Sequence, residues 1–307
     1  MIRLEQVRRA YAGREAVAGV DLTVERGAFC ALIGESGSGK STLLRMINRL
    51  VEPDSGRVLL DGEDVRSLAP EQLRRHIGYV IQSVGLFPHW TVARNIAAVP
   101  ALLGWERPRI EARITELMAL LRLDPRLAKA SPASLSGGQA QRVGVARALA
   151  ADPDLLLMDE PFGALDPVTR TALQTELARI QRETGKTIVF VTHDMDEALR
   201  LATQVVVLDQ GRVVQDATPS GLLAHPADDR VRDLLGREDR GLRRLALRPV
   251  QSVMRKPGPA SAPAIAAATD CRAALSRMAE LGVSVLDVQD EHGTRLGSLH
   301  LADLIAG

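Results

Sequence analysis

Eight residues, GESGSGKS at Gly34–Ser41, combine types and spacing that suit one task, the binding of a polyphosphate. They match the pattern GxxxxGK[ST], in which glycines let successive backbone N–H groups turn toward one anion. An apolar stretch, AFCALI, precedes them and a segment of helical spacing follows, so a helix N-terminus would add its partial positive charge. In that arrangement Gly34, Glu35, Ser36, Gly37, Ser38 and Gly39 form the cradle. Lys40 reaches the β- and γ-phosphates, the Ser41 hydroxyl completes the coordination of Mg²⁺, and Thr42 assists. A glycine-rich turn that matches by accident is the competing reading, and the flanking strand and helix argue against it.

A second stretch, LLLMDE at Leu155–Glu160, is an apolar strand with two adjacent carboxylates at its C-terminal end. Asp159 suits a Mg²⁺ partner and Glu160 a base or positioner for an attacking water. Side chains alternate along a strand, so the two neighbours would point in different directions and take different roles. On its own, the pair also reads as a solvated strand end. A third stretch, LSGGQ at Leu135–Gln139, sets Ser136, Gly137 and Gly138 ahead of a helix expected from Gln139 to Ala150, a further anion-seeking terminus.

These groups need a scaffold that brings strand ends together. Short apolar strands (AFCALIG, GYVIQ, DLLLMDE, TIVFVT and TQVVVLD) alternate with helical spacing at 40–50, 108–121, 139–150 and 168–182. That alternation predicts an α/β fold with a mostly parallel sheet covered by helices. The N-terminal MIRLEQVRRA alternates as a further strand. With 307 residues and 46% hydrophobic content the chain is long for one domain, and a large unit with a small appendage is expected. Lys and Arg total 39 against 38 Asp and Glu, a well-mixed net charge of +1 that gives no nucleic-acid footprint. The two cysteines, Cys30 and Cys271, are far apart and read as reduced, with Cys30 in the core. No apolar run approaches the roughly 18 residues that span a bilayer, so a membrane role would come through a partner.

Taken in order, GESGSGKST, LSGGQ, LLLMDE, GALDP and the histidine of VTHD resemble the ATP-binding subunit of an ABC transporter, over about the first 225 residues. The resemblance implies a P-loop NTPase cassette with a RecA-like core, an antiparallel β subdomain and a helical subdomain. It implies ATP as substrate, Mg²⁺ as cofactor and ATP hydrolysis coupled to transport. Tyr11 would stack on adenine, Gln82 would sense Mg²⁺ and the water, and His193 would contact the γ-phosphate. An ordinary strand-end aromatic remains open for Tyr11, as does a cap on the helix from Asp196 for His193. Two such cassettes pack head to tail as a homodimer, so Ser136, Gly137, Gly138 and Gln139 would face the partner's nucleotide, with Asp166 of GALDP at the seam. The stretch SVGLFPHWTVARNI, 83–96, with Leu86, Phe87 and Trp90, would receive a helix of an integral-membrane permease or else cap the helical subdomain. The chain would then sit on the cytoplasmic face of the inner membrane.

GLFPHWTVARNI and DLLGREDRGLRRLAL also resemble the osmoprotectant branch, importers of glycine betaine, carnitine, choline or other quaternary amines, which work with a separate substrate-binding protein. An importer of another solute, a permease-independent ABC ATPase and an adaptor that binds ATP without turnover are the alternatives. The last has intact Lys40, Asp159, Glu160 and His193 against it. The chain is expected to divide into a cassette at 1–236, an arginine-rich linker at 237–255 and a single CBS-like motif at 256–307. In the tail, TDCRAALSRMAELG reads as a helix capped at Thr269 or Asp270 and ended by Gly282, with GVSVLDV and RLGSLH as a strand pair and LADLI as a final helix. By resemblance, two tails would pair and set Asp303 and the backbone near Gly297 toward a regulatory nucleotide. His300, in place of the usual hydroxyl, argues instead for pairing alone.

Overall fold

The computed structural model describes residues 1–83, 85–163, 165–236, 239–256 and 262–305, and the chain divides into two units, 1–218 and 219–307. Val84 of the expected permease-facing stretch, Ala164 of GALDP, 237–238 of the expected linker, and 257–261 and 306–307 of the expected CBS-like motif lie outside the described residues.

The first unit opens with β1 (Ile2–Tyr11) and β2 (Arg14–Val24), an antiparallel pair. Alternation buries Ile2 and Leu4, then slips so that Val7 is the next buried residue. The cause is a bulge: Gln6 has φ 48° and the register shifts between Leu4 and Val7. After β3 (Phe29–Ile33) and α1 (Lys40–Ile47), β4 (Ser55–Leu60) and β5 (Glu63–Asp64) complete a four-stranded sheet of order β2-β1-β4-β5. Of these strands, β2 alternates plainly only from Val20 to Val24, after Gly19 and register shifts against β1, and in β4 Gly56 interrupts the apolar period.

The chain continues through α2 (Pro70–Arg75) and β6 (Ile77–Val80) into the helices α3 (Val92–Ile96), α4 (Ala98–Leu102), α5 (Arg107–Leu120) and α6 (Gly137–Leu149). It then passes through β7 (Leu155–Asp159), α7 (Pro167–Thr184), β8 (Thr187–Val191), α8 (Met195–Leu201), β9 (Gln204–Asp209) and β10 (Arg212–Ala217). The second sheet has the order β10-β9-β3-β8-β7-β6, parallel except for β10. All five residues of each of β3, β7 and β8 are buried, as expected for strands covered on both faces. The adjacency of β3, β8 and β7 matters for function, because the loops after their carboxyl ends emerge side by side. No helix among the described residues is long and apolar enough to cross a membrane.

The second unit contains α9 (Pro219–Ala224), α10 (Asp229–Leu234), α11 (Arg240–Ala246), β11 (Ala264–Ala266), α12 (Cys271–Leu281), β12 (Val285–Gln289), β13 (Arg295–His300) and α13 (Leu301–Ile305). Its sheet has the order β11-β12-β13, with the first pair parallel and the second antiparallel. Asp270, rather than Thr269, caps α12, and Gly282 ends it in the left-handed region at φ 64°.

Two expectations differ from this arrangement. Residues 219–236 group with the C-terminal unit rather than with the cassette. The stretch expected as a linker contains α11, and Leu245, Val253 and Met254 pack against a core of Val250, Cys271, Ala274, Met278, Leu286, Val288 and Leu299. Its arginines suggested a solvated tether, but the apolar residues between them fill this core, whose burial contributes about 1.5–3 kcal/mol for each large side chain. The start of the expected CBS-like motif also supplies β11.

Candidate active site

The loop after β3 is shaped by two glycines that no other residue could replace. Gly34 has φ +145°, and a Cβ there would lie 2.1 Å from Leu208 O. Gly39 has φ +100°, and a Cβ there would lie 2.3 Å from Ala16 O. Lys40 follows as the first residue of α1. Its Nζ donates to Gly34 O at 2.8 Å, Glu35 O at 2.7 Å and Ser38 Oγ at 3.3 Å. Burial lowers the pKa of this amine, while nearby Glu160 and Asp159 oppose the shift. Tyr11, at the end of β1, joins Gly37, Gly39, Lys40, Ser41 and Thr42 around a cleft of about 280 Å³. Tyr11 is 45% exposed, with the Arg9 guanidinium 4.9 Å from its ring centroid. Tyr11 is thus a strand-end aromatic that also lines the cleft. Ser36 is exposed at the loop's outer turn.

Asp159 ends β7 with its side chain 2% exposed. Ser41 Oγ donates to its Oδ1 at 2.7 Å, and Arg45 Nη2 donates to its Oδ2 at 3.3 Å. Arg45 was not anticipated from sequence, although it lies four residues after Ser41 and so shares that face of α1. Tyr79 stands beside Arg45, its phenol pKa raised by burial.

Glu160 is not a strand residue. It turns off the end of β7 with φ 46°, while its N–H donates to Val191 O at 3.1 Å. A left-handed non-glycine residue carries strain of about 1–3 kcal/mol. Here that turn, rather than strand alternation, separates the direction of Glu160 from that of Asp159. Gln82 Nε2, from the turn after β6, donates to Glu160 Oε2 at 2.8 Å, and His193 Nδ1 lies 3.7 Å from Oε1. Helix α8 is capped by Asp194, which accepts from the N–H groups of Asp196 and Glu197, so His193 is free of the capping role. Three loops from neighbouring strands therefore bring Gln82, Glu160 and His193 together.

Ser136, Gly137, Gly138 and Gln139 occupy the start of α6, which begins two residues earlier than periodicity suggested. A reciprocal cap explains the extension: Gln139 N donates to Ser136 Oγ at 3.2 Å and Ser136 N donates to Gln139 Oε1 at 2.9 Å. A Cβ on Gly138 would lie 2.5 Å from Thr169 Cγ2, so the smallness of Gly138 has a cause within the chain, the packing of α6 on α7. Asp166 caps α7 by accepting from Val168 N and Thr169 N, with Pro167 at the first helical position. Those hydrogen bonds, Thr169 first, hold its carboxyl below the ordinary carboxylate range.

Phe87 and Trp90 stack at 4.3 Å between ring centroids, and Phe87 is 41% exposed. With Leu102, Arg74, Arg75 and Arg147 they border a groove of about 340 Å³, to which Phe87 contributes directly and Trp90 through its ring contact. In the C-terminal unit, Arg255 Nε donates to Asp303 Oδ1 at 2.8 Å, and a Cβ on Gly297 would lie 2.4 Å from Arg255 O. The two places expected to face a regulatory nucleotide are thus covered by residues of the same unit.

Residues 17–163 match the family described as ABC transporter. The chain is 54% identical over 305 residues to the glycine betaine uptake system ATP-binding protein YehX of Escherichia coli K12, covering 99% of both chains. It is 52% identical over 239 residues to the glycine betaine/carnitine/choline transport ATP-binding protein OpuCA of Bacillus subtilis, covering 78% of this chain and 63% of that one. Among solved structures, the dimeric post-hydrolysis state of the ATP-binding cassette MJ0796 bound to ADP and Pi superposes with a TM-score of 0.66 at 33% identity, covering 71% of this chain and 99% of that one. The phosphate-shaped loop after β3, the carboxylates after β7 and this near full-length similarity agree: the chain belongs to the ABC transporter family, among the ATP-binding subunits of the glycine betaine, carnitine and choline uptake branch.

Proposed function

We propose that this chain is the ATP-hydrolysing subunit of an importer for glycine betaine or a related quaternary amine, acting as a pair of copies on the cytoplasmic side of the inner membrane. The observation that carries the reading is the meeting of Gln82, Glu160 and His193 beside a loop whose Lys40 is held among backbone oxygens. In the Michaelis complex Lys40 exchanges its bonds to Gly34 O and Glu35 O for phosphate oxygens. Glu160 accepts the proton of the attacking water, Gln82 holds that carboxylate by its Oε2, and His193, near its Oε1, contacts the γ-phosphate. Tyr11 offers the adenine its exposed ring face.

Magnesium fits the donors present. Ser41 Oγ and Asp159 Oδ1 are adjacent, and no group of three His, Cys, Asp or Glu among the described residues could hold a metal alone. Ser41 and Asp159 would hold such a hard cation, whose remaining ligands would come from phosphate and water. When bound it would neutralise charge on the β- and γ-phosphate oxygens.

Pairing of two copies is supported by the likeness to solved cassettes that are themselves dimers. Asp166, exposed at the start of α7, is free to meet a second copy. In the pair, Ser136 and the N–H groups of Gly137 and Gly138 complete the partner's nucleotide site, while Gln139 braces Ser136. The groove at Phe87 and Leu102, with its three arginines, receives the permease, and a separate binding protein delivers the solute. A regulatory nucleotide at the CBS-like tail would have to displace Arg255 from Asp303.

Uptake of labelled glycine betaine by cells lacking this chain, but carrying its permease and binding protein, tests the reading. Wild-type chain restores uptake and Glu160→Gln chain does not. Restoration of some other solute's uptake alone would reassign the importer.

A further inference from the structure

A buried carboxylate outside the candidate site joins two loops that the site uses separately. Glu197, on α8, is 6% exposed; its Oε2 accepts from Thr192 Oγ1 at 2.6 Å and its Oε1 from Gln174 Nε2 at 3.2 Å. Thr192 immediately precedes His193. The same Thr192 Oγ1 accepts from Asp194 N at 3.0 Å, and Asp194 in turn caps α8. The His193 backbone is thereby pinned on both sides by a short network that ends at Glu197. Burial raises the pKa of this carboxyl, and the Thr192 hydroxyl and Arg170 oppose the shift, so its charge depends on the partners it keeps.

Arg170, on α7, approaches the same network from the other side. Its Nη2 donates at 3.2 Å to Leu165 O, the carbonyl just before Asp166. Its Nη1 lies 3.7 Å from Asp194 Oδ2 and its Nε 3.9 Å from Glu197 Oε1. Nε is buried and makes no hydrogen bond. Both separations exceed hydrogen-bond length by less than about 1 Å, in a setting where an unmade bond is costly. A small displacement of the Leu165–Asp166 loop would close them.

We propose that Arg170 and Glu197 are positioning residues that lock the His193 turn to the Leu165–Asp166 loop, so that the loop at the seam between the two copies sets the reach of His193 in its own chain. This rests on the reading above for His193 and Asp166. A two-state element biased from both ends is the physical requirement for such coupling, and the Arg170 side chain, with its near-contacts open or closed, is the one inferred.

The test uses the full-length protein as wild type, Arg170→Met, Glu197→Gln and the double variant, with Arg170→Lys as a conservative control. Histidine imidazole NMR, with the His193 signal identified by its loss in His193→Gln, is read beside kcat and KM for ATP. Each single variant is expected to move the His193 signal with the other histidines in place. Each should also lower kcat about tenfold with KM changed less than about twofold, and the double should be no worse than the worse single. Arg170→Lys should fall between wild type and Arg170→Met. An unmoved His193 signal in folded single variants, or effects on kcat that multiply in the double, would overturn the proposal. If Arg170→Met is unfolded, the Arg170→Lys and Glu197→Gln signals decide alone. Unchanged turnover in His193→Gln would instead refute the γ-phosphate role of His193, and the NMR shift would still report the tie between the loops.

Discussion

Gln82 Nε2 donates a 2.8 Å hydrogen bond to Glu160 Oε2, so the turn after one core strand fixes the carboxylate that follows its neighbour. Removing the base while keeping this shape separates binding from chemistry. Glu160→Gln should bind ATP as wild type does and hydrolyse it about 100- to 10,000-fold more slowly. A phosphate-release assay beside a nucleotide-binding titration reads both, and wild-type turnover would count against Glu160 as the base.

Lys40 stands differently, because its ammonium is buried among oxygens that phosphate would replace. Lys40→Ala should weaken ATP binding itself by at least about tenfold, the loss of one charge-assisted contact. Equal affinity in a fluorescent-nucleotide titration would mean that the loop does not cradle the phosphates.

In the C-terminal unit the Arg255 guanidinium holds the Asp303 carboxyl below its ordinary value of 3.8. A depressed carboxyl contributes stability that is present above that value and lost as pH falls through its lower folded value. Asp303→Asn should therefore lower the unit's melting temperature at neutral pH, and the difference should vanish in acid. Thermal scans across pH check this, and a difference that persists in acid would point to packing rather than charge.

What the sequence displayed and what it hid follow physical lines. Strands β3, β7 and β8 are covered on both faces, so their apolar runs were plain, and so were the glycine-shaped loop and the carboxylates at their ends. The start of α6 was misplaced because two glycines look like loop, whereas the Ser136–Gln139 cap makes them helical. Arg45, beside the site, and Arg170 and Glu197, behind it, do not show in the sequence: each resembles an ordinary helix-surface charge until tertiary packing sets it against Asp159, Leu165 or Thr192. The arginine-rich stretch at 240–255 looked like a tether because composition reports its charges and not the leucine and valines that face the core.

The central claim, that each nucleotide site is completed by a second copy, is met most directly by mixing two inactive variants. Lys40→Ala removes one half of a site. For the other half Ser136→Asp is preferable to a change at Gly138, which would collide with Thr169, because aspartate still caps α6 while placing a carboxylate toward the partner's phosphates. Each variant alone should be nearly inactive in ATP hydrolysis. A mixture contains heterodimers with one intact site and one doubly damaged site, so hydrolysis should reappear at a fraction of the wild-type rate. A mixture as inactive as its parents, with exchange of subunits confirmed by a tag on one variant, would contradict the shared site and favour one built within a single chain.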